Sequence, residues 1–317
     1  MYYATALGES LIDFTPFDVE GKRGFIPNPG GAPVNLLAML GKLGMATAFI
    51  GKVGNDAFGT FLKSDMEQSG IDTKGLLLSP RFNTTLAFVH LDAKGDRSFS
   101  FYRKGCADTM LEPSEIDLDL INSSRIFHFG SLSLTDEPVK SAVKRAVAYA
   151  RSLHKIISYD PNYRPRLWGS EAEAKREITS MIPSADILKV SEEEMQLITG
   201  ETDIERGAEY LRHLGPKIVL VTRGEHGSYF LCAATRFFTP AVRVDVVDTV
   251  GSGDAFLGSF LYGMKEHLTV DWSQVPASEY MRIVKFANLA GSMTAERRGA
   301  IPAMPSLAEL TARLAII

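Results

Sequence analysis

Apolar residues fall into short runs, separated by longer stretches in which they recur every three or four positions. The runs at 125–129, 156–160, 187–190 and 218–222 are too short and too uniformly apolar for strands with one wet face. They predict parallel strands covered on both sides. Positions 4–14 read as a first strand of the same kind, with Glu9 and Asp13 toward its end, and 47–53 as another. Helical spacing predicts helices over 33–43 (Val34, Leu37, Ala38, Leu40), 56–66, 139–153, 171–181, 255–264 and 280–295. Pro33 suits a first helical turn. Strand and helix alternate, which implies an α/β fold: a doubly wound, mainly parallel sheet with helices on both faces.

Two segments break that rhythm. Positions 85–91 and 98–102 pattern as paired strands around a turn at 92–96, and 21–27 could add a third strand. No helix follows them closely, so they suit a small β-sheet lid better than the central sheet. The reading is one domain over 1–317, with lid insertions at about 15–29 and 83–105 and no internal repeat or flexible linker.

Composition narrows the function classes. At 317 residues the chain is about twice the ~150 expected of one domain, and 45% hydrophobic residues suffice for a large core. Lys and Arg number 34 against 38 Asp and Glu, a net charge of −4 with no dense basic run. That argues against a nucleic-acid partner, whose binding rests on neutralising phosphates. Two cysteines, Cys106 and Cys232, without CxxC spacing cannot build a disulfide framework or a four-ligand zinc site, so a reducing cytoplasm is expected. No apolar run approaches ~18 residues, so no membrane span is expected. Positions 1–14 lack a basic leader and do not read as a signal peptide. His90, His128, His154, His213, His226 and His267 show no metal spacing, and none is assigned to catalysis.

The strongest chemical signal is Asp248-Thr249-Val250-Gly251-Ser252-Gly253-Asp254, running into an apolar helix. Small residues at 251–253 let backbone N–H groups converge at a helix start, where the dipole favours anionic oxygens. Asp254 beside such a site would be repelled by bound phosphate unless it has a task, such as holding an attacking hydroxyl. Read alone, it could equally be a helix-start carboxylate. No GxxxxGK[ST] occurs, and Phe256 stands at the third glycine position of a would-be GxGxxG, so the P-loop and the dinucleotide fingerprint both fail. A second signal is Gly30-Gly31-Ala32-Pro33-Val34-Asn35. Bare backbone, an amide on the first helical turn and the Asp13 carboxylate together suit a polyol's hydroxyls. A simple turn before a capped helix is the alternative.

Together these segments identify the chain as resembling the ribokinase-like (PfkB) carbohydrate kinases. Positions 30–35 through Gly51-Lys52-Val53-Gly54 resemble that family's first signature, and 248–261 its second. Within the family, Gly8-Glu9-Ser10-Leu11-Ile12-Asp13, Arg103-Lys104-Gly105-Cys106-Ala107-Asp108 and Asp160-Pro161-Asn162-Tyr163-Arg164-Pro165 look most like fructokinases. Leu37 replaces a usual small residue, Ser259 an Ala or Gly, and Ser191 the Asn of an Asn-x-x-Glu motif that keeps Glu194.

The resemblance implies Asp254 as catalytic base and Gly251, Ser252 and Gly253 as an anion hole. An ordinary low pKa is expected to suffice for Asp254, because the loose transition state lets the proton leave late. It further implies sugar contacts at Asp13, Gly30, Gly31, Asn35 and, from the lid, Arg103, which could otherwise be a solvated strand-end cation. ATP would meet Lys189, Thr222, Gly224, Gly227, Gly251, Gly253 and Asn288. Asn162 and Arg164 would lie near the phosphates, and Glu194 would order Mg2+ through water. Asp248 with carbonyls of Val250, Thr294, Arg297, Gly299 and Ala303 would hold K+. The expected reaction is transfer of the γ-phosphoryl of ATP to fructose, giving fructose 6-phosphate. Rivals are a ribokinase, a 2-keto-3-deoxygluconate kinase, a nucleoside kinase and, in a different class, a non-catalytic sugar sensor. Phe99, Phe101 and Tyr102 pattern as a lid face for core or partner packing, and an exposed lid sheet invites a homodimer.

Overall fold

Short apolar runs become the interior strands of a computed structural model that describes residues 1–20, 22–91 and 97–316. The first part of the chain forms β1 (Tyr2–Leu7), β2 (Leu11–Val19), β3 (Lys22–Gly30), α1 (Ala32–Lys42), β4 (Thr47–Gly54), α2 (Ala57–Gln68) and β5 (Ile71–Ser79). Next come β6 (Leu86–Leu91), β7 (Arg97–Tyr102), α3 (Leu118–Asn122), β8 (Ser124–Gly130), α4 (Val139–Ser152), β9 (Ile156–Asp160) and α5 (Glu171–Met181). The remainder forms β10 (Ile187–Ser191), α6 (Glu192–Thr199), α7 (Ile204–His213), β11 (Ile218–Thr222), β12 (Ser228–Cys232) and β13 (Arg236–Thr239). Helices α8 (Ser252–Gly263), α9 (Ala277–Ala295) and α10 (Leu307–Leu314) close it.

Nine strands make the central sheet, in the order β13-β12-β11-β10-β9-β8-β1-β4-β5. All neighbours are parallel except β11–β12 and β12–β13. Helices cover both faces. One face carries α1, α8 and α9 through Leu36, Leu37, Phe256, Phe260 and Leu289, and the other carries α4, α5 and α7 through Val143, Ile178 and Leu211. The doubly wound α/β sheet read from the chain is therefore present. Leu37 is fully buried in this core, and Ser259 is buried with its hydroxyl unpartnered.

A second sheet of four strands, ordered β3-β2-β6-β7, stands apart. Phe14 stacks on Phe88 at 4.7 Å and meets Phe58 of α2 edge-on at 5.6 Å, which ties this lid to the body. The expected turn at 92–96 lies outside the described residues, and its flanking strands β6 and β7 pair antiparallel. Neighbours on a strand face opposite ways. Phe101 accordingly lines the cavity under the lid, while Tyr102 packs edge-on against Phe88 on the other face.

The first strand needs correction. Positions 4–14 are not one element: β1 stops at Leu7, and Leu11 opens a lid strand. Glu9 causes the departure, because its Oε1 accepts the Ala32 amide at 3.0 Å and so draws the chain toward the start of α1. Asp13 thus belongs to the lid sheet, not to the end of a central strand.

Candidate active site

The parallel strands deliver their last residues to one edge of the sheet, where open α/β folds bind ligands. Gly251 precedes α8 with φ +78, a left-handed conformation that costs a residue without Cβ nothing. The amides of Gly253 and Asp254 follow on the first turn, before the intrahelical ladder begins, while that of Ser252 donates to the Thr249 carbonyl at 3.2 Å. A Cβ on Gly258 would come within 3.0 Å of Met39 Cβ, so α8 lies close against α1. That contact brings the first turns of the two helices together. Asn35 Nδ2 consequently donates to Asp254 Oδ2 at 2.8 Å. Because the amide nitrogen is committed, Asn35 Oδ1 is left as an acceptor without a partner.

Asp254 Oδ1 accepts no hydrogen bond among the described residues, and the side chain lines a cavity of about 370 Å³ beneath the lid. Burial pushes its pKa from 3.8 up to about 6, with nearby Asp160 adding to the rise and Asn35, Lys189 and Arg164 opposing it. This corrects the expectation of an ordinary low pKa. Lys189, in the middle of β10, is buried and pairs with Asp160 Oδ2 at 2.9 Å. A Cβ on Gly253 would stand 3.1 Å from Lys189 Nζ, so the ammonium sits directly against the glycine turn. Buried carboxylates, Asp160 chief among them, hold its pKa up despite desolvation.

Gly30, one of the expected sugar contacts, packs its backbone against Asp13: a Cβ there would lie 2.3 Å from Asp13 Oδ2. Gly31, Asn35, Asp13, Asn162, Arg164 and Lys189 line the same cavity as Asp254. Burial raises Asp13 to about 6, against the pull of Arg164. A larger cavity of about 900 Å³ adjoins on the other side of the turn, lined by Thr222, Gly224, Gly227, Ser252 and Asn288. Thr249 and Gly253 line both. Two cavities, one small and acid-walled and one large, therefore meet at the glycine turn.

Several expected site residues are placed differently. Arg103 does not line the cavity. It is buried, donating from Nε to Asp108 Oδ2 at 2.7 Å, from Nη1 to Thr135 Oγ1 at 2.6 Å and from Nη2 to the Leu132 carbonyl at 2.9 Å. Thr85 Oγ1 binds the other Asp108 oxygen, so the cluster clamps the root of the β6–β7 hairpin. Lys189 lines the small cavity, not the large one. Glu194 is buried with Oε1 accepting the Tyr163 amide at 2.6 Å and Oε2 the Ser191 amide at 2.7 Å. Ser191 Oγ answers by capping α6, so the Ser-for-Asn replacement makes a capping box. Asn288 borders the large cavity, but its side chain is taken up by Ser228 Oγ and the Thr239 and Pro240 carbonyls.

Asp248 joins two loops, accepting the Val250 amide at 2.9 Å and the Gly299 amide at 3.1 Å. Thr294 Oγ1 bonds back to the Ala290 carbonyl, Arg297 pairs with Glu309 at 2.7 Å, and the Ala303 amide bonds the Ala300 carbonyl. Of the expected cation ligands, Asp248, Val250 and Gly299 are thus brought together directly. Among the described residues no group of three His, Cys, Asp or Glu is poised for a metal. No helix among them is long and apolar enough to cross a membrane.

Glu9 and Asp160 received no role from the residue pattern. Glu9 lines the small cavity, is raised to about 7 by burial, and leaves Oε2 unpartnered. Its one visible signal was a carboxylate inside an apolar run. Asp160 gave a comparable signal, closing the run at 156–160.

Comparison with known proteins identifies the family. The family model described as pfkB family carbohydrate kinase matches residues 1–307. A probable fructokinase-4 of Arabidopsis thaliana is 38% identical over 314 residues, 98% of this chain and 95% of the relative. The structure of a fructokinase with bound ATP from Xylella fastidiosa superposes with a TM-score of 0.92 at 30% identity, covering 100% of this chain and 99% of that one. A fructokinase from Vibrio cholerae O395 in a fructose-, ADP- and calcium-bound form gives 0.87 at 30% identity, covering 98% of each. A double mutant of it with fructose, ADP and potassium ion bound gives the same score. The chain belongs to the pfkB family of carbohydrate kinases, phosphotransferases with an alcohol acceptor, and the resemblance read from its two glycine-rich signatures is borne out.

Proposed function

We propose that this kinase transfers the γ-phosphoryl group of ATP to the 6-hydroxyl of fructose. The carrying observation is the junction of the two cavities at Gly253, with Asp254 on the acid-walled side. The large cavity suits ATP. The small one suits a neutral sugar: Glu9, Asp13 and Asp254 would repel the carboxylate of 2-keto-3-deoxygluconate, and Arg103 is consumed at the lid root, leaving Arg164 and Lys189 as the cations on the cavity wall.

In this mechanism Asn35 fixes one Asp254 oxygen, and the other receives the sugar hydroxyl and later its proton. The hydroxyl oxygen bonds to phosphorus as the bond to the β-phosphate oxygen breaks. A carboxylate near pH 6 accepts that proton more readily than one of ordinary acidity. The glycine turn at 251–253 and the Lys189 ammonium would face the transferring group, the Ser252 amide being engaged by the Thr249 carbonyl at 3.2 Å, and each free donor can be worth ~3–4 kcal/mol in barrier. Lid closure would exclude water, so that the hydroxyl and not solvent takes the phosphoryl group.

Magnesium fits as a partly hydrated ion carried by the phosphates. There Asp160, Glu194 and Asp254 are drawn to Lys189, and Asp254 also to Arg164, a concentration of carboxylates that a hydrated cation would balance. Asp160 and Glu194 would hold its waters, and the ion would neutralise phosphate charge. Potassium beside Asp248 would stiffen the loops flanking the anion hole. Phe17, Val19 and Ile26 stand exposed on the lid, which supports a homodimer through that sheet. The free thiols Cys106 and Cys232 support a cytoplasmic setting.

A coupled ADP-release assay over fructose, ribose, 2-keto-3-deoxygluconate and adenosine tests the reading. Fructose should give the highest kcat/KM. A higher value for an acid sugar or a nucleoside would overturn it, and sugar binding without ADP release would favour a sensor.

A further inference from the structure

The lid contributes a polar pair that neither signature contains. Asn28 on β3 stands opposite Asp13 on β2. Asn28, Thr15 and Asp13 all line the small cavity. Asn28 Nδ2 donates to Thr15 Oγ1 at 2.9 Å, to the Ile26 carbonyl at 3.0 Å and to the Asp13 carbonyl at 3.2 Å. Two of those partners are backbone carbonyls, which can only accept, so the amide nitrogen has to lie on that side. Asn28 Oδ1 is thereby turned away from the hairpin, and it accepts no hydrogen bond among the described residues.

We infer that Asn28 is a specificity-determining residue whose Oδ1 accepts a hydrogen bond from a sugar hydroxyl other than the one phosphorylated. The surroundings favour a donor on the ligand. Asp13, Asn35 Oδ1 and Asn28 Oδ1 all offer acceptors on the cavity wall, where the cations are Lys189, against the glycine turn, and Arg164. A substrate with a ring of hydroxyls satisfies that wall, and one that presents carbonyl or carboxylate oxygens there does not. The lid thus selects polyols as well as covering them. The inference rests on the sugar-kinase reading of this cavity, and specifies which face of the sugar is read.

The test is a cycle of kcat/KM measurements, pairing wild type and Asn28→Ala with fructose and its 1-, 3- and 4-deoxy analogues. In the wild type one analogue should suffer a roughly tenfold penalty from the lost hydrogen bond. In Asn28→Ala that penalty should shrink to within about twofold, while KM for ATP stays unchanged. A purely structural Asn28 would lower kcat/KM for every sugar by one common factor, and that uniform loss, or no loss at all, overturns the inference. Asn28→Asp, which keeps acceptors but not the amide donor, should retain the analogue penalty if it folds. Should fructose prove not to be phosphorylated, the fructokinase reading falls. The same cycle on the accepted sugar still decides Asn28.

Discussion

Asp254→Asn should cripple turnover and stabilise the protein at once. In the folded chain the carboxyl titrates near 6 instead of 3.8, chiefly through desolvation. Between those values the unfolded chain has released the proton and the folded one has not, so stability falls as pH rises through the window. About two pH units at 1.36 kcal/mol each give ~3 kcal/mol, and screening by water in the adjoining cavity reduces that to about 1–2 kcal/mol. Asparagine never ionises, so above pH 6 the variant escapes the whole cost. It should melt a few degrees above wild type at pH 7.5. Near pH 5 about half of that advantage should remain, and below pH 4 little of it. Turnover should fall at least ~10²-fold at every pH, with fructose still binding. Thermal melts across pH 4–8, set beside ADP release, measure both effects. A variant less stable than wild type at pH 7.5, a pH-independent difference, or near-normal turnover would each refute the reasoning.

Other consequences are open to direct measurement. Gly253→Ala would set a methyl group 3.1 Å from Lys189 Nζ, and displacing that ammonium from the turn should cut kcat about 10²-fold; a rate within threefold of wild type would remove Lys189 from the account. Asp13 and Asp254 both titrate near 6, so kcat/KM for fructose should fall on the acid side with a slope approaching two protons, and Asp13→Asn should leave a slope of one in its residual activity. Arg103→Met strands the buried Asp108 carboxylate and should cost about 3–5 kcal/mol in urea unfolding; a change in sugar KM alone, at unchanged stability, would return Arg103 to the sugar site. Sedimentation at micromolar concentration should show a dimer that Ile26→Lys weakens, and a wild-type monomer would contradict lid pairing.

The central sheet was legible because a strand buried on both faces has to be apolar throughout, and 156–160 and 218–222 match β9 and β11 residue for residue. Strands with mixed burial were not. In β5 buried and exposed positions alternate irregularly, and β13 is mostly exposed. The glycine turn was readable from local spacing, since converging amides need small neighbours. What could not be read was long-range pairing. Whether Arg103 reaches a sugar or Asp108 depends on how the hairpin root folds back onto Leu132 and Thr135. Glu9 looked like an interruption in a strand because its partner, the Ala32 amide, lies across the whole first lid insertion. The raised pKa values of Asp13 and Asp254 likewise arise from walls that several distant segments build together.

A crystal structure with fructose and a non-hydrolysable ATP analogue tests the central claim most directly. The fructose 6-hydroxyl should lie ~3 Å from the Asp254 carboxylate, at hydrogen-bonding distance. It should also line up with the γ-phosphorus, whose oxygens meet the 251–253 amides. Finding the sugar seated with another group toward the phosphate, or Asp254 turned out of the cavity with both ligands bound, would contradict the account.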